Sequence, residues 1–122
     1  MLPQRVRVDQ LRPHETTDEE LLQRLIANVR RGVMLQDPII ADEKTLVILD
    51  GHHRHAAFQV LGIEYIPCIL VNYDSAGIRV EPRRPGFAVS KQEVIRRGLS
   101  GDLYPPKTTR HHFPGPQRPW NP

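Results

Sequence analysis

The sequence predicts an α/β fold (of the α+β type) in which a small mixed sheet is packed by helices. Short apolar runs typical of strands alternate with segments whose apolar residues recur every three or four positions, as in amphipathic helices. The chain has 122 residues, of which 39% are hydrophobic and 25% charged. That length suits one domain with one core. We place this domain at residues 1–112 and expect residues 113–122, which are rich in proline, to form a flexible tail.

The N-terminal residues are predicted to form a strand, a turn and a helix. Residues 5–8 alternate polar and apolar side chains, which is typical of a half-buried strand. Pro13 favours a turn, because the residue before a proline is pushed out of helical geometry. Thr17 is the candidate cap of the helix that follows, with Glu20 completing a capping box, and Gly32 is predicted to end it.

A β-hairpin and a buried strand are predicted in the middle of the chain. The apolar residues 38–40 and 46–49 flank a polar turn at 42–44, which is the pattern of a hairpin. Residues 66–71 form the most continuous apolar run, so we expect a buried strand here.

Two further helices are predicted, one before and one after that buried strand. The first is expected from about residue 52 to 61, and the second from Ser90 as its cap to Gly98. The residues of the first that should face inward are Ala56, Ala57, Val60 and Leu61. A short strand is expected at residues 77–80. No periodic pattern follows Tyr104.

The net positive charge of the chain comes from its last third. Residues 1–81 carry 9 Lys and Arg against 12 Asp and Glu, whereas residues 82–122 carry 8 against 2, together with 8 of the 12 prolines. A basic segment rich in proline is typical of a solvated tail. No apolar run reaches the ~18 residues of a membrane helix. A single cysteine, Cys68, excludes an internal disulfide and a multi-cysteine zinc site, so we expect a cytoplasmic protein with no membrane partner.

The densest group of polar residues lies at the predicted turn from strand to helix, and consists of Asp50, Gly51, His52, His53 and Arg54. Glycine permits close backbone approach, and the N–H groups at a helix start attract anions. The histidines and the arginine add donors and positive charge for phosphate oxygens. Asp50 is placed to hold Mg²⁺ or a histidine ring. The sequence therefore predicts a phosphate site, the alternative being that Asp50 caps the helix and the histidines are surface residues.

A family resemblance is carried by residues 47–54, whose sequence is Val-Ile-Leu-Asp-Gly-His-His-Arg. They resemble the phosphate turn of the ParB-like nuclease (ParB/sulfiredoxin) superfamily, in the version found in its free-serine kinase branch. Residues 11–15, 36–40 and 103–111 are similar to further motifs of that branch. The chain departs from it at residues 81–84, Glu-Pro-Arg-Arg, where these kinases carry a tryptophan.

The resemblance implies a role for each matching residue. Glu15 would be the general base that accepts the proton of a substrate hydroxyl, whereas without the resemblance it is interpreted as a solvated loop carboxylate. Asp50 would bind Mg²⁺ or orient the hydroxyl. The phosphate being transferred would be cradled by Gly51, His52, His53 and Arg54. The substrate would be held by Lys107, Thr108, Thr109, Arg110 and His111.

The function implied is that of an enzyme, a kinase transferring a phosphoryl group from ADP or ATP to the hydroxyl of free L-serine or a similar small compound. Sulfiredoxin chemistry is excluded, because His52 occupies the position of its cysteine. Two alternatives stay open. One is a ParB-like nucleic-acid-binding protein or nuclease, which the low aromatic content of 6% disfavours. The other is a non-catalytic regulatory module that binds a nucleotide or phosphoserine.

Overall fold

The computed structural model describes residues 2–115 and has the predicted α/β architecture, with a four-stranded mixed sheet, a two-stranded sheet and three α-helices in that range. The elements are β1 (Gln4–Arg7), α1 (Glu19–Arg30), β2 (Ile39–Asp42), β3 (Ile48–Asp50), α2 (His52–Val60), β4 (Tyr65–Val71), β5 (Arg79–Pro82), α3 (Lys91–Ser100) and β6 (Thr109–His112). A 3₁₀ turn at Val8–Gln10 follows β1. No helix in the described residues is long and apolar enough to cross a membrane.

The larger sheet has the strand order β1-β4-β2-β3. β2 and β3 form the predicted antiparallel hairpin, in which Ile40 pairs with Asp50, whereas β2 and β4 run parallel. β1 closes the far edge of the sheet by pairing antiparallel with β4. Because Asp50 is the last residue of β3, the turn into α2 leaves the sheet at the end of this edge strand.

Two apolar cores lie on opposite faces of the sheet, and side chains of β2 alternate between them as the pleat requires. Ile39 and Ala41 pack with α1 and α2 in one core. Ile40 packs in the other, together with Val94 of α3 and the fully buried Tyr104. The whole of β2 is buried as a result.

Helix α1 begins one residue later than the capping box predicted. Its cap is Asp18, whose carboxylate accepts hydrogen bonds from the N–H groups of Glu20 (3.0 Å) and Leu21 (3.3 Å). The predicted cap, Thr17, lies outside the helix. Aspartate satisfies two of the otherwise unpaired N–H groups and adds negative charge at the positive end of the helix dipole.

Replacing Asp18 by alanine is expected to lower the free energy of unfolding by about 1 kcal/mol, because those two N–H groups lose their acceptor. The matched control is Thr17→Ala, for which we expect a change below about 0.5 kcal/mol. Urea denaturation of both variants measures the difference. A larger loss for Thr17→Ala would contradict the observed cap.

Two details of the predicted helices are wrong. Val60, predicted to face inward, is 62% exposed, and Phe58 is buried in its place beside Ala57. Gly98 does not end α3 but lies inside it, and the helix continues to Ser100 with Gly101 in the left-handed conformation. A Cβ atom at Gly98 would stand 2.6 Å from Cγ2 of Val47, so the glycine is needed for close packing of α3 on the hairpin.

Strand β6 was not predicted from the sequence. It pairs antiparallel with β5, placing Pro82 opposite Thr109 and Glu81 opposite Arg110. Its sequence, Thr-Arg-His-His, has no apolar alternation, and only Thr109 of the four residues is buried. Of the predicted tail at 113–122, residues 116–122 lie outside the described residues, so the boundary at residue 112 stays a prediction.

Candidate active site

A cleft of about 630 Å³ lies where the end of β3, the start of α2 and strand β6 meet. Every site residue predicted from the sequence lines it except Thr108. Thr108 is fully buried and its hydroxyl donates to the carbonyl of Pro105 at 2.7 Å. The prediction that Thr108 holds substrate is therefore wrong, because its polar group is turned into the protein.

The turn that starts α2 requires glycine for two independent reasons. Gly51 has φ 108° and ψ 26°, in the left-handed region that other residues rarely adopt. A Cβ atom there would also lie 2.3 Å from Cγ2 of Ile39. The backbone at Gly51 therefore rests directly on β2, which places the first turn of α2 on the cleft wall. The first N–H groups of a helix have no partner within it and suit an anion.

The two histidines of this turn act as hydrogen-bond acceptors. Nε2 of His52 accepts from the N–H of His14 at 3.1 Å, and Nε2 of His53 accepts from the N–H of Asp18 at 2.9 Å. Burial lowers the pKa of both imidazoles, most strongly that of His52. The predicted positive charge on them is wrong, since they are neutral near pH 7. They instead tie α2 to the chain around His14 and Asp18.

Arg54 combines a place on the cleft with a structural contact. The guanidinium is buried, and its Nη1 donates to the carbonyl oxygens of Asp37 (2.8 Å) and Pro38 (3.0 Å). Arg54 thereby fixes the loop that leads into β2. This contact explains why an arginine is buried in the first turn of a helix, where its charge opposes the dipole.

The carboxylate of Glu15 is held by the residues around it. Oε1 accepts from the N–H of Lys107 at 3.1 Å, and Oε2 accepts from the N–H of Thr109 at 2.7 Å and from the Thr109 hydroxyl. Glu15 is 7% exposed, so the interpretation as a solvated loop carboxylate is wrong. The N–H and the hydroxyl of Thr109 both donate hydrogen bonds to Glu15. Thr109 therefore supports the carboxylate and is not a substrate contact alone.

Besides Arg54, three cationic residues line the cleft, namely Arg83, Lys107 and Arg110. Arg83 was not predicted as a site residue, because β6, the strand beside which it lies, was not predicted from the sequence. Its N–H donates to the carbonyl of Thr108 at 2.7 Å, which continues the β5–β6 pairing. The available signal was the pair Arg83-Arg84 at the point where the chain departs from the kinase branch.

His111 belongs to a neutral cluster at the back of the cleft. Its Nε2 lies 2.8 Å from the Tyr73 hydroxyl, and its ring stacks on Phe113. Burial, assisted by the neighbouring His14, lowers the pKa of His111 to about 3. His111 therefore brings a hydrogen-bonding ring to the site and no charge at neutral pH.

The free energy of unfolding is expected to fall as the pH decreases from 7 to 5. His111 has a pKa of about 3 when folded and an ordinary value near 6.5 when unfolded, so in this window the unfolded state binds more protons and stability rises with pH. Denaturant titrations at pH 7 and 5 measure the slope. His111→Gln should make the slope less steep without abolishing it, because burial also lowers the pKa of His14, His52, His53 and His55. A slope equal to that of the parent protein would contradict the assignment.

Comparisons with known proteins place this architecture in a wider group. The sequence model of the ParB N-terminal domain matches residues 2–81. A "ParB-like protein" of Sulfolobus acidocaldarius is 41% identical over 71 residues, which cover 58% of this chain and 35% of the relative. An "ATP-dependent L-serine kinase" of Desulfurococcus mucosus is 33% identical over 106 residues, covering 80% of this chain and 41% of the relative. An "ADP-dependent L-serine kinase" of Thermococcus kodakarensis is 29% identical over 96 residues, covering 75% and 40%.

A solved structure titled "Free serine kinase in complex with AMP" superposes with a TM-score of 0.82 at 17% identity, covering 93% of this chain and 88% of that one. This likeness confirms the predicted ParB/sulfiredoxin-like fold. The chain spans about 35–41% of the length of these curated relatives.

Proposed function

The chain belongs to the ParB N-terminal domain family, and from this membership and the geometry of the cleft we propose that it is a small-molecule kinase. It transfers a phosphoryl group from ADP or ATP to the hydroxyl of free L-serine or a similar small compound. The observation that carries the proposal is the buried carboxylate of Glu15, held at the cleft beside Lys107 and across from the start of α2. The named activities of the two serine kinase relatives support it.

Each half of the reaction has a matching part of the cleft. A serine hydroxyl is barely acidic, so a carboxylate within ~3 Å assists by taking its proton as the new bond forms. Glu15 fills this role. Phosphoryl transfer otherwise requires alignment and neutralisation of charge on the equatorial oxygens. Lys107, Arg110 and the first N–H groups of α2 supply the positive field, and Arg83, which follows β5, adds to it.

Mg²⁺ fits this site as a partner of the nucleotide rather than of the protein alone. Among the described residues, no group of three or more His, Cys, Asp or Glu could hold a metal ion by itself. Mg²⁺ is commonly bound by one or two carboxylates together with substrate phosphates, and Asp50 offers one carboxylate at the cleft wall. When bound there, the ion neutralises phosphate charge.

The wall formed by α1 and the loop after it suits the base of a nucleotide. Leu21, Leu25 and Met34 line this part of the cleft, in contrast to the cationic strand opposite. An apolar wall facing a few charged groups is the usual composition of a site for a small organic ligand. The compartment we propose is the cytoplasm, which the free thiol of Cys68 supports.

Incubation of the purified chain with ADP or ATP, Mg²⁺ and L-serine tests the proposal. O-phosphoserine should form and should depend on both the nucleotide and serine, and L-alanine, which lacks the hydroxyl, should yield no phosphorylated product. The absence of product across a panel of small hydroxyl compounds would overturn the proposal and favour a non-catalytic module that binds a nucleotide or phosphoserine.

Nucleic-acid binding is the second candidate, because one groove has the composition for it. Arg83, Arg84 and Lys107 line this groove beside the ring of Phe87, which is 37% exposed. Basic side chains that track a backbone beside an aromatic ring are typical of single-strand binding. Fluorescence anisotropy of a labelled oligonucleotide would show salt-dependent binding that weakens in Arg84→Ala if this function is present.

A further inference from the structure

The hydrogen bonds behind Glu15 form a continuous path, to which the proposed reaction assigns no role. His14, which is fully buried, places Nδ1 2.6 Å from the carbonyl oxygen of Ile48 and Nε2 2.8 Å from the Thr109 hydroxyl. That hydroxyl also contacts Oε2 of Glu15. This hydrogen-bonded path therefore runs from the backbone of β3 through His14 and Thr109 to the carboxylate at the cleft.

The three contacts along this path need one proton more than neutral histidine and ionised glutamate provide. A carbonyl oxygen only accepts, so Nδ1 of His14 must carry a proton to bond Ile48. The Thr109 hydroxyl has a single proton, yet it lies at hydrogen-bonding distance from both Nε2 and Oε2. The remaining contact needs a second proton, which is either on Nε2 of His14 or on the carboxyl of Glu15.

We propose that His14, Thr109 and Glu15 form a proton relay. In this relay Glu15 takes the proton of the substrate hydroxyl, and His14, as a positioning residue, shares that proton through Thr109. This inference rests on the proposed kinase function. It gives His14 a role in tuning the base, in addition to its structural contact with Ile48.

The relay accommodates the proton that phosphoryl transfer releases. Before transfer the relay is one proton short, and the Thr109 proton is contested by two acceptors. The substrate O–H bond breaks as its oxygen bonds to phosphorus, and the nucleotide leaves with the electron pair of the broken P–O bond. The released proton goes to Glu15. Movement of this proton to Thr109, and of the Thr109 proton to Nε2, leaves His14 as imidazolium beside ionised Glu15.

A relay that is one proton short is suited to accept the proton of the substrate, because the incoming proton supplies the missing hydrogen bond. Groups hydrogen-bonded in this way titrate as a unit rather than one by one. Burial lowers the pKa of His14, and the neighbouring carboxylate of Glu15 offsets part of that effect. Activity should therefore be lost on the acid side, where the relay is already full.

The other titratable groups that face the relay do not compete for this proton near neutral pH. Rings of His52, His111 and Tyr104 surround His14, with centroids at 4.5, 5.7 and 6.2 Å. Burial lowers the pKa of the two histidines and raises that of the tyrosine, so all three are neutral.

On the cleft side, two groups face Glu15. Lys107 contributes its N–H and its cationic side chain, and His53 is kept neutral near pH 7 by the burial that lowers its pKa. A full relay has no net charge, because the imidazolium or the carboxyl proton balances Glu15. The buried end of the site is then free of uncompensated charge after transfer.

Nuclear magnetic resonance on the full chain tests the relay without any assay of activity. The carboxyl carbon of Glu15 and the ring nitrogens of His14 should report one shared midpoint during a pH titration. Thr109→Val removes the hydroxyl but keeps the branched shape and the N–H, so the midpoints should separate by about one pH unit or more. Thr109→Ser keeps the hydroxyl and should keep the shared midpoint. Independent midpoints in the parent protein would overturn the relay. Because this titration is made on the parent protein, its result does not depend on whether a variant folds.

Kinetics separates the relay from the proposed function. Thr109→Val should lower kcat by about tenfold or more and move the acid limb of the pH–rate profile to lower pH, with KM for the nucleotide within about threefold. Thr109→Ser should be at least about fivefold more active than Thr109→Val. A shared midpoint in a parent protein that makes no phosphoserine would sink the kinase function and leave the relay standing. A parent protein that makes phosphoserine but shows independent midpoints would contradict the relay and leave the kinase function standing.

Discussion

Replacing Glu15 by glutamine is expected to reduce kcat for phosphoryl transfer to serine by roughly 10²–10⁴-fold, the usual contribution of a positioned base. Glutamine has nearly the same shape but cannot take the proton of the hydroxyl. The dissociation constant for the nucleotide should stay within about threefold of the parent value, because Glu15 makes none of the contacts proposed for the phosphates. Assay of O-phosphoserine and titration of nucleotide binding measure the two quantities.

The substitution has a structural cost that the experiment must separate from catalysis. Two backbone N–H groups, those of Lys107 and Thr109, point at different oxygens of Glu15. A glutamine has one oxygen and an NH₂ group, so one of these N–H groups then faces a donor, at a cost of about 1–3 kcal/mol. We therefore expect a lower melting temperature with the fold retained, to be followed by circular dichroism.

A matched control is Glu81→Gln. Glu81 is a half-exposed carboxylate on β5 near the cleft, and it contacts His112. This substitution should leave phosphoryl transfer close to the parent rate. Transfer that persists within about tenfold in Glu15→Gln would contradict the base assignment. Loss of nucleotide binding together with activity would show that Glu15 acts only by holding residues 107–109.

The central turn of this site could be predicted from the sequence because its signal is local. Gly51 combines a strand end, a helix start and a flexible backbone in consecutive residues, and each of these leaves a mark in the sequence. The hairpin that supports it could be predicted for the same reason, since apolar alternation on both sides of a polar turn is read within about a dozen residues.

The second half of the site could not be predicted from local pattern, because long-range pairing creates it. Thr109 lies 94 residues from Glu15 along the chain, yet its N–H and hydroxyl both serve that carboxylate. Only the family resemblance indicated that the two segments belong together. The charge of His52 and His111 was also beyond local reasoning, because burial by distant elements, and not the residue type, decides whether an imidazole is protonated.

Replacing Gly51 by alanine is expected to lower the free energy of unfolding by about 2–5 kcal/mol, a large part of the stability of a domain of this size. Two costs add. A residue with a Cβ pays about 1–2 kcal/mol in the left-handed conformation that Gly51 adopts at φ 108°. The new methyl would also lie 2.3 Å from Cγ2 of Ile39, and such overpacking costs about 1–3 kcal/mol.

The second cost is difficult to relieve because of where Ile39 lies. It is fully buried in β2, a central strand of the sheet, so the turn rather than the strand has to move. Movement of the turn displaces the first N–H groups of α2 from the cleft wall. We therefore expect nucleotide affinity to fall by about tenfold or more in the fraction that remains folded, as measured by calorimetric titration.

Gly62→Ala separates these two causes, because Gly62 follows the other end of the same helix. It also has a positive φ, of +70°, so alanine is strained there too, but a Cβ atom would find nothing within 4 Å. We expect a loss of about 1 kcal/mol and unchanged nucleotide binding for this variant. If urea denaturation gave equal losses at the two positions, the close contact between Gly51 and Ile39 would have no energetic role, and the placement of the phosphate turn would have to be attributed to backbone conformation alone.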